Sequence, residues 1–300
     1  MTFNYSSWTV LSSIEQVIKN KIEKIGKPLK EWDIKINYGI KTGYNEAFII
    51  DGLKREELIK KCPEADSIIR PILRGKHIKK YGKLNQTEWL ILIPCGWTNK
   101  NRKEKDPELF FKETYPAIYD HFITKSKLES KGKGLFLRDD KGNYWWELRP
   151  CDYLLEFEKE KILYIDIMTD NEEDGYPFPA FSFAKNGVFT LNTAYFIVGN
   201  NEDLKYILGL LNSIIGRFIV KSNVTPLQRR QYRIFQHFME KFFIPVPDSE
   251  IKKEVVKIVD NIILKKSLDL NSNLEESLLN NKLAQFCDLS EDEISFIDSM

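Results

Sequence analysis

The side chains that could carry out covalent or metal chemistry are few and scattered. Histidine occurs only at His77, His121 and His237, and the cysteines Cys62, Cys95, Cys151 and Cys287 form no Cys-x-x-Cys pair. Zinc sites need thiolates and imidazoles at short, repeated spacings, so no zinc site is expected, and the cysteines read as reduced, partly buried thiols. Three isolated histidines give no basis for a Ser/His/Asp arrangement. Pro247-Asp248 followed by Glu250-Ile251-Lys252 imitates the carboxylate pair of a metal-dependent nuclease. Such carboxylates come from separate strands so that both reach one ion. Here they share one turn ahead of an apolar-periodic segment, and Asp248 is read as a helix N-cap. The acidic stretch Asp170, Glu172, Glu173, Asp174 is read as a solvated turn with divalent-cation binding as its rival. No catalytic, cofactor-binding or metal-binding residue is assigned.

Charge is more informative. The formal net charge is +1, but its distribution is uneven. Between Asp66 and Glu88 there is no acid, while Arg70, Arg74, Lys76, Lys79, Lys80 and Lys83 occur with His77. Between Asp203 and Glu240 the pattern repeats with Lys205, Arg217, Lys221, Arg229, Arg230 and Arg233. From Glu250 onward eleven acids face six lysines. Acid-free cationic runs suit phosphates. A solvated basic face is the equal rival; if a nucleic acid is the partner, Arg74, Lys76, Lys79 and Lys80 are expected on backbone phosphates, and Arg229, Arg230 and Arg233 on a second strand or the flanking turn. Phosphate contacts position a protein without reading sequence. Readout needs donors on loops, for which Lys100, Asn101, Arg102 and Lys103, and then Arg138, Lys141 and Asn143, are the candidates. If Trp145 and Trp146 alternate on a strand, one is exposed and could stack on a base; core packing is the competing reading.

The elements that must position these groups follow from periodicity. Ile34, Ile36, Tyr38 and Ile40 alternate as a strand, and Ala47 to Ile50 is a second apolar run beyond Gly43. Trp89 to Pro94 reads as a central strand, Ile162 to Met168 and Val188 to Val198 as further strands, and Lys241 to Pro247 as a short one. Helices are expected from a capping box at Ser13 to Gln16, over Arg55 to Lys61, from Pro116 toward Leu128, and from Asn201 to Phe218. Others follow over Ile251 to Lys265 and Leu274 to Phe286, with a final capping box at Ser290 to Glu293. Trp97 to Lys105 and Glu129 to Asn143 read as loops.

Two phrases dominate this pattern: Gly39-Ile40-Lys41-Thr42-Gly43-Tyr44-Asn45-Glu46-Ala47-Phe48, and Arg70-Pro71-Ile72-Leu73-Arg74-Gly75-Lys76-His77-Ile78-Lys79-Lys80-Tyr81. With Trp145-Trp146-Glu147-Leu148-Arg149-Pro150, Leu191-Asn192-Thr193-Ala194-Tyr195, Leu208-Gly209-Leu210-Leu211-Asn212-Ser213 and Phe243-Ile244-Pro245-Val246-Pro247 they resemble, in order, the TaqI-like C-terminal specificity domain of type IIG restriction-modification methyltransferases. The resemblance implies a DNA target recognition domain. Lys41, Thr42, Tyr44 and Asn45 match its first motif; a shared motif shapes the loop or touches phosphate more readily than it specifies a base. It also implies double-stranded DNA and a methyltransferase, with or without a nuclease, as partners in cis or trans. S-adenosylmethionine and magnesium would belong to that catalytic part. This sequence contains neither a glycine-rich cofactor loop nor an Asn-Pro-Pro-Tyr motif.

The expected architecture is α+β: a mixed sheet core with flanking helices and long loops, then a helical tail. The expected organisation is an N-terminal segment to residue 31, a recognition domain over 32–250 and the tail over 251–300. An apolar fraction of 42%, with 13 tyrosines and 19 phenylalanines, supports a true core and excludes whole-chain disorder. No segment is apolar enough to span a bilayer and no signal-peptide pattern is present, so a cytoplasmic protein is expected. The rival readings are a protein-interaction or structural domain with solvated basic runs, and a metal-dependent nuclease.

Overall fold

The computed structural model describes residues 11–126, 134–171 and 177–300, with the side chain of Arg229 outside the described part. Two four-stranded sheets organise the α+β architecture. In the first, the order is Ile34–Tyr38, Ala194–Gly199, Lys161–Ile165 and Phe181–Ala184, all antiparallel. Its faces serve two cores: Ile36, Ile162, Tyr164 and Ile197 enter one, and Leu163, Ala194, Phe196 and Val198 the other. A strand covered on both faces needs apolar residues at nearly every position, which is why the central strands Lys161–Ile165 and Ala194–Gly199 read as apolar runs while the edge strand Ile34–Tyr38 alternates.

The second sheet runs Ile49–Asp51, Glu88–Ile91, Ile69–Leu73 and Phe189–Thr190, the last pair parallel. The two sheets meet where Ile40 bridges Leu191. Gly39 permits that approach, since a Cβ there would lie 2.1 Å from the Leu191 carbonyl oxygen. Among the described residues two short pairs complete the strands: Gly26–Pro28 with Phe243–Pro245, and Ile167–Thr169 with Gln231–Arg233.

The first core is closed by the helices Ser13–Ile25, Asn201–Leu211, Ile214–Asn223 and the three tail helices Ser249–Ser267, Asn273–Phe286 and Glu291–Ser299. The expected single helix from Asn201 to Phe218 is two. Asn212 turns aside to exchange hydrogen bonds with the backbone of Phe181, at 2.9 and 3.0 Å, and Ser213 caps the next helix. Gly209 lets the tail close, because a Cβ there would sit 2.7 Å from Val259 Cγ2. The first capping box uses Ser12 and Glu15, one residue earlier than the expected pair.

Candidate nucleic-acid interface

The first basic segment leaves the second sheet at Leu73. Not all of its cations face solvent freely. The Arg74 guanidinium donates to Glu88 through Nε at 2.6 Å and Nη2 at 2.8 Å, a two-point pair that raises the Arg74 pKa and lowers that of Glu88. Glu88 ends the acid-free run in sequence, yet antiparallel pairing returns it beside Arg74. Lys80 lies 3.2 Å from Glu276 and Lys83 3.1 Å from Asp269, so the acidic tail packs beside this segment rather than away from it. Lys76 and Lys79 are exposed, and among the described residues neither has a carboxylate within ion-pair distance. Gly75 has no room for a Cβ larger than a contact: Ile165 Cγ2 would lie 3.0 Å away and Thr193 Oγ1 3.4 Å. The close neighbour of Gly75 is therefore this chain's own strand.

The second basic segment meets the same strand end. Arg233 pairs in register with Ile167, the Ile234 amide donates to the Asp166 carbonyl at 2.7 Å, and the Asp166 amide donates to Thr193 at 3.3 Å. Both segments thus flank the turn at Ile165 to Ile167. Here too some cations are engaged: Lys221 and Arg217 lie 2.6 and 3.3 Å from the buried Asp170, and Lys205 lies 2.7 Å from Asp260. Arg230, in a left-handed conformation with φ of 56°, and Arg233 are exposed. Glu172, Glu173 and Asp174 lie outside the described residues, whereas Asp170 is occupied by these cations. Asp248 Oδ1 accepts from the amides of Glu250 and Ile251 at 2.9 and 2.8 Å, as an N-cap does.

The loops offered for base readout are arranged around two buried ions. Arg138 is only 3% exposed. Its Nε donates to the carbonyls of Thr42 at 3.0 Å and Asp140 at 3.1 Å, Nη1 to Leu135 at 2.8 Å and to Trp145, and Nη2 to Glu147 at 2.6 Å. Its guanidinium carbon lies 4.7 Å from the Phe48 ring centroid. Burial pushes its pKa down to about 10, so it stays charged at neutral pH. Arg138, expected on a base, is therefore spent on the backbone. Glu147, fully buried, is its counterpart: Oε2 accepts from the amides of Gly96 at 3.1 Å and Asn143 at 2.9 Å, and Oε1 from Thr98 at 2.9 Å.

The first-motif residues join this network. Thr42, 2% exposed, donates to Asn45 Oδ1 at 2.6 Å and accepts from the Tyr44 amide at 3.2 Å, while the buried Tyr44 donates to the Lys125 carbonyl at 3.3 Å. Gly43 has φ of 71°, and a Cβ there would lie 2.9 Å from Arg138 Cδ. Lys41 stays half exposed, 2.9 Å from Asp140, which also holds Arg149 at 3.2 Å. Trp146 is buried and donates to Thr98 Oγ1 at 2.9 Å. Trp145 is half-buried among Phe111, Tyr119, Phe122 and Phe136, so its ring is packed. Trp97–Asn101, expected as loop, is a short helix, and Arg102 folds back onto Asn99 at 3.1 Å and the Lys105 carbonyl at 2.8 Å. Sequence reasoning missed Glu147, although its place inside a Trp-Trp-Glu-Leu phrase was a signal that the carboxylate is buried. Among the described residues no His, Cys, Asp and Glu gather as a metal site, and no helix is long and apolar enough to cross a membrane.

A loop cluster locked by buried ions, beside two converging basic segments on a sheet framework, defines a loop-presenting recognition module. The family model of the TaqI-like C-terminal specificity domain matches residues 70–246, more than half of the chain. The chain belongs to that family. Its first phrase, residues 39–48, precedes the matched span. The fold is similar to that of the type IIL restriction-modification enzyme MmeI, solved in complex with DNA, at a TM-score of 0.56 and 13% identity over 91% of this chain and 37% of that one. It is also similar to the type IIG restriction endonuclease BpuSI, at a TM-score of 0.52 and 15% identity over 94% of this chain and 33% of that one. The chain thus spans about a third of the length of these enzymes, and at such identities the likeness is one of fold. Comparison with characterised protein sequences gives no match.

Proposed function

We propose that this chain is the sequence-specific target-recognition module for double-stranded DNA of a restriction-modification methyltransferase that acts on adenine. Family membership supports the class. The observation that carries the reading is the meeting of two cationic segments at one turn, with Gly75 against Ile165 and Arg233 opposite Ile167. Lys76, Lys79, Arg230 and Arg233 present exposed charge there for phosphates, and Arg229 is expected to join them. Arg74 and Lys80 would reach a phosphate only by exchanging Glu88 and Glu276 for it. Methyl transfer belongs to a catalytic portion in cis or trans. On this reading S-adenosylmethionine and the flipped adenine belong to that portion, and no chemical step is assigned to this chain. On this reading the module works in the cytoplasm, and any magnesium-dependent cleavage lies with an accompanying nuclease.

The test is duplex affinity against salt. About four phosphate contacts predict a loss on the order of a hundredfold between 50 and 200 mM. A flat salt dependence, or an affinity for unrelated acidic polymers equal to that for DNA, overturns the reading.

A further inference from the structure

We propose that Arg138 and Glu147 are positioning residues that make segments 41–45, 96–103 and 139–147 one preformed reading head, and that Asn99, Lys100, Lys103 and Asn143 on it discriminate one DNA sequence from another. The proposal deepens the DNA-recognition reading and rests on it.

The energetics single out this pair. Neither ion faces the other's charged group; the guanidinium binds carbonyls and the carboxylate binds amides. Burying ions is unfavourable, and apolar packing stabilises a core as well or better. What ions add is geometry, because each bond fixes one peptide group in segments that lie outside the two four-stranded sheets. The bonds reach the Thr42 carbonyl, the Gly96 and Thr98 amides at the start of the Trp97–Asn101 helix, and the Asn143 amide. Three segments far apart in sequence become one body. Tyr144 fastens the outer edge, its hydroxyl donating to Asn99 Oδ1 at 2.7 Å. Preformed loops lose little freedom on binding, which favours discrimination.

The outer side is polar and available. Asn99, Lys100, Lys103 and Asn143 are exposed, and among the described residues neither lysine has a carboxylate within ion-pair distance. Asn99 Oδ1 is taken by Tyr144 and Arg102, so Asn99 presents its amide donor. Exposed donors suit the acceptor-rich major-groove edge of guanine. Ile91 pairs with Ile69 and Glu88 with Ile72, so the chain leaves for Gly96 at the end of the sheet opposite Arg74, whereas segment 41–45 follows Ile40, which bridges Leu191 beside Leu73.

The experiment is binding selection from randomised duplexes with the full chain. Lys100→Ala, Lys103→Ala and Asn143→Ala should each lose at least tenfold preference at one or two positions with the melting temperature unchanged, and Asn99→Ala should lose as much with a small fall in melting temperature, because it also removes the acceptor of Tyr144 and Arg102. Arg138→Lys and Glu147→Gln should flatten the whole consensus, the ratio of selected to unrelated duplex affinity falling at least tenfold. If both lower binding to every sequence alike, they are merely structural and the positioning role fails. If the four surface variants select the parent's consensus, or the parent binds all duplexes equally, the reading head is overturned. A parent with no salt-dependent duplex binding instead overturns the DNA-recognition reading, which separates the two failures.

Discussion

The basic run over 70–83 and the loop cluster around Arg138 use the same residue types for opposite purposes. In the run, Lys76 and Lys79 stand in solvent while Arg74, Lys80 and Lys83 are held by carboxylates from distant segments. In the cluster, a guanidinium without a carboxylate on its hydrogen bonds is buried against peptide carbonyls. A cation at the surface supplies long-range field, which salt screens; a buried one supplies local geometry, which salt barely touches. Counting charge along a sequence therefore measures neither.

The largest effect should come from emptying the buried site. Arg138→Met removes the guanidinium donor from the carbonyls of Thr42, Leu135, Asp140, Trp145 and Glu147, of which Glu147 keeps the Gly142 amide, and destabilisation of about 3–5 kcal/mol is expected from the unsatisfied acceptors. Urea unfolding measures it. A loss under about 1 kcal/mol would mean that water replaces the guanidinium, and the contrast between the two regions would collapse.

Lys161 sharpens the same contrast. It is fully buried at the start of its strand, donating to the carbonyls of Phe157, Lys159 and Lys185 at 2.9, 2.6 and 3.3 Å. Burial pushes its pKa down to about 8 from 10.5, while a guanidinium in a like setting stays charged. The folded state thus binds this proton less tightly than the unfolded chain, so stability rises with pH between about 8 and 10.5 and is flat below. Compared with Lys161→Met, the parent should gain about 2 kcal/mol in unfolding free energy from pH 7.5 to 9.5. A pH-independent difference between the two proteins would show that the lysine keeps its ordinary pKa.

How much of this was legible in the sequence depends on the range of the interaction. Local signals sufficed for the strand at Ile34, the cap at Asp248 and the capping box at Ser290, because each is set by residues within a few positions. The family phrases located the framework, and the structure shows why they hold: Gly39, Gly43 and Gly209 admit neighbours that a Cβ would strike, and Asn212 replaces a strand partner. What stayed hidden was partner choice across long separations. Nothing near Arg138 announces five carbonyls, and nothing near Lys80 announces Glu276. Asn201 to Phe218 looked like one helix because apolar spacing survives a break made by side-chain bonds at Asn212 and Ser213.

At the exposed side the expected effects are smaller and fall on binding. Lys76→Ala with Lys79→Ala should weaken duplex affinity roughly 10- to 30-fold at moderate salt and reduce the salt slope by about 1 for each lysine. Stability should change by less than about 0.5 kcal/mol, since neither lysine has an ion-pair partner among the described residues. Filter binding across a salt series checks it. An unchanged slope would remove these lysines from the phosphate contacts and shift the burden to Arg230 and Arg233.

The smallest expected effect is at Arg74. Its pair with Glu88 has two-point geometry, but side-chain exposures of 37% and 23% leave it open to water. A double-mutant cycle over Arg74→Ala and Glu88→Ala should give a coupling below about 1 kcal/mol. DNA affinity separates two roles for the same residue. If Glu88 only borrows Arg74 from a phosphate, Glu88→Gln frees the guanidinium, and duplex affinity rises a few-fold with a steeper salt slope. If the pair instead fixes the exit of the strand Ile69–Leu73, Glu88→Gln lowers affinity without changing the slope. Only the first outcome returns Arg74 to the exposed class with Lys76 and Lys79.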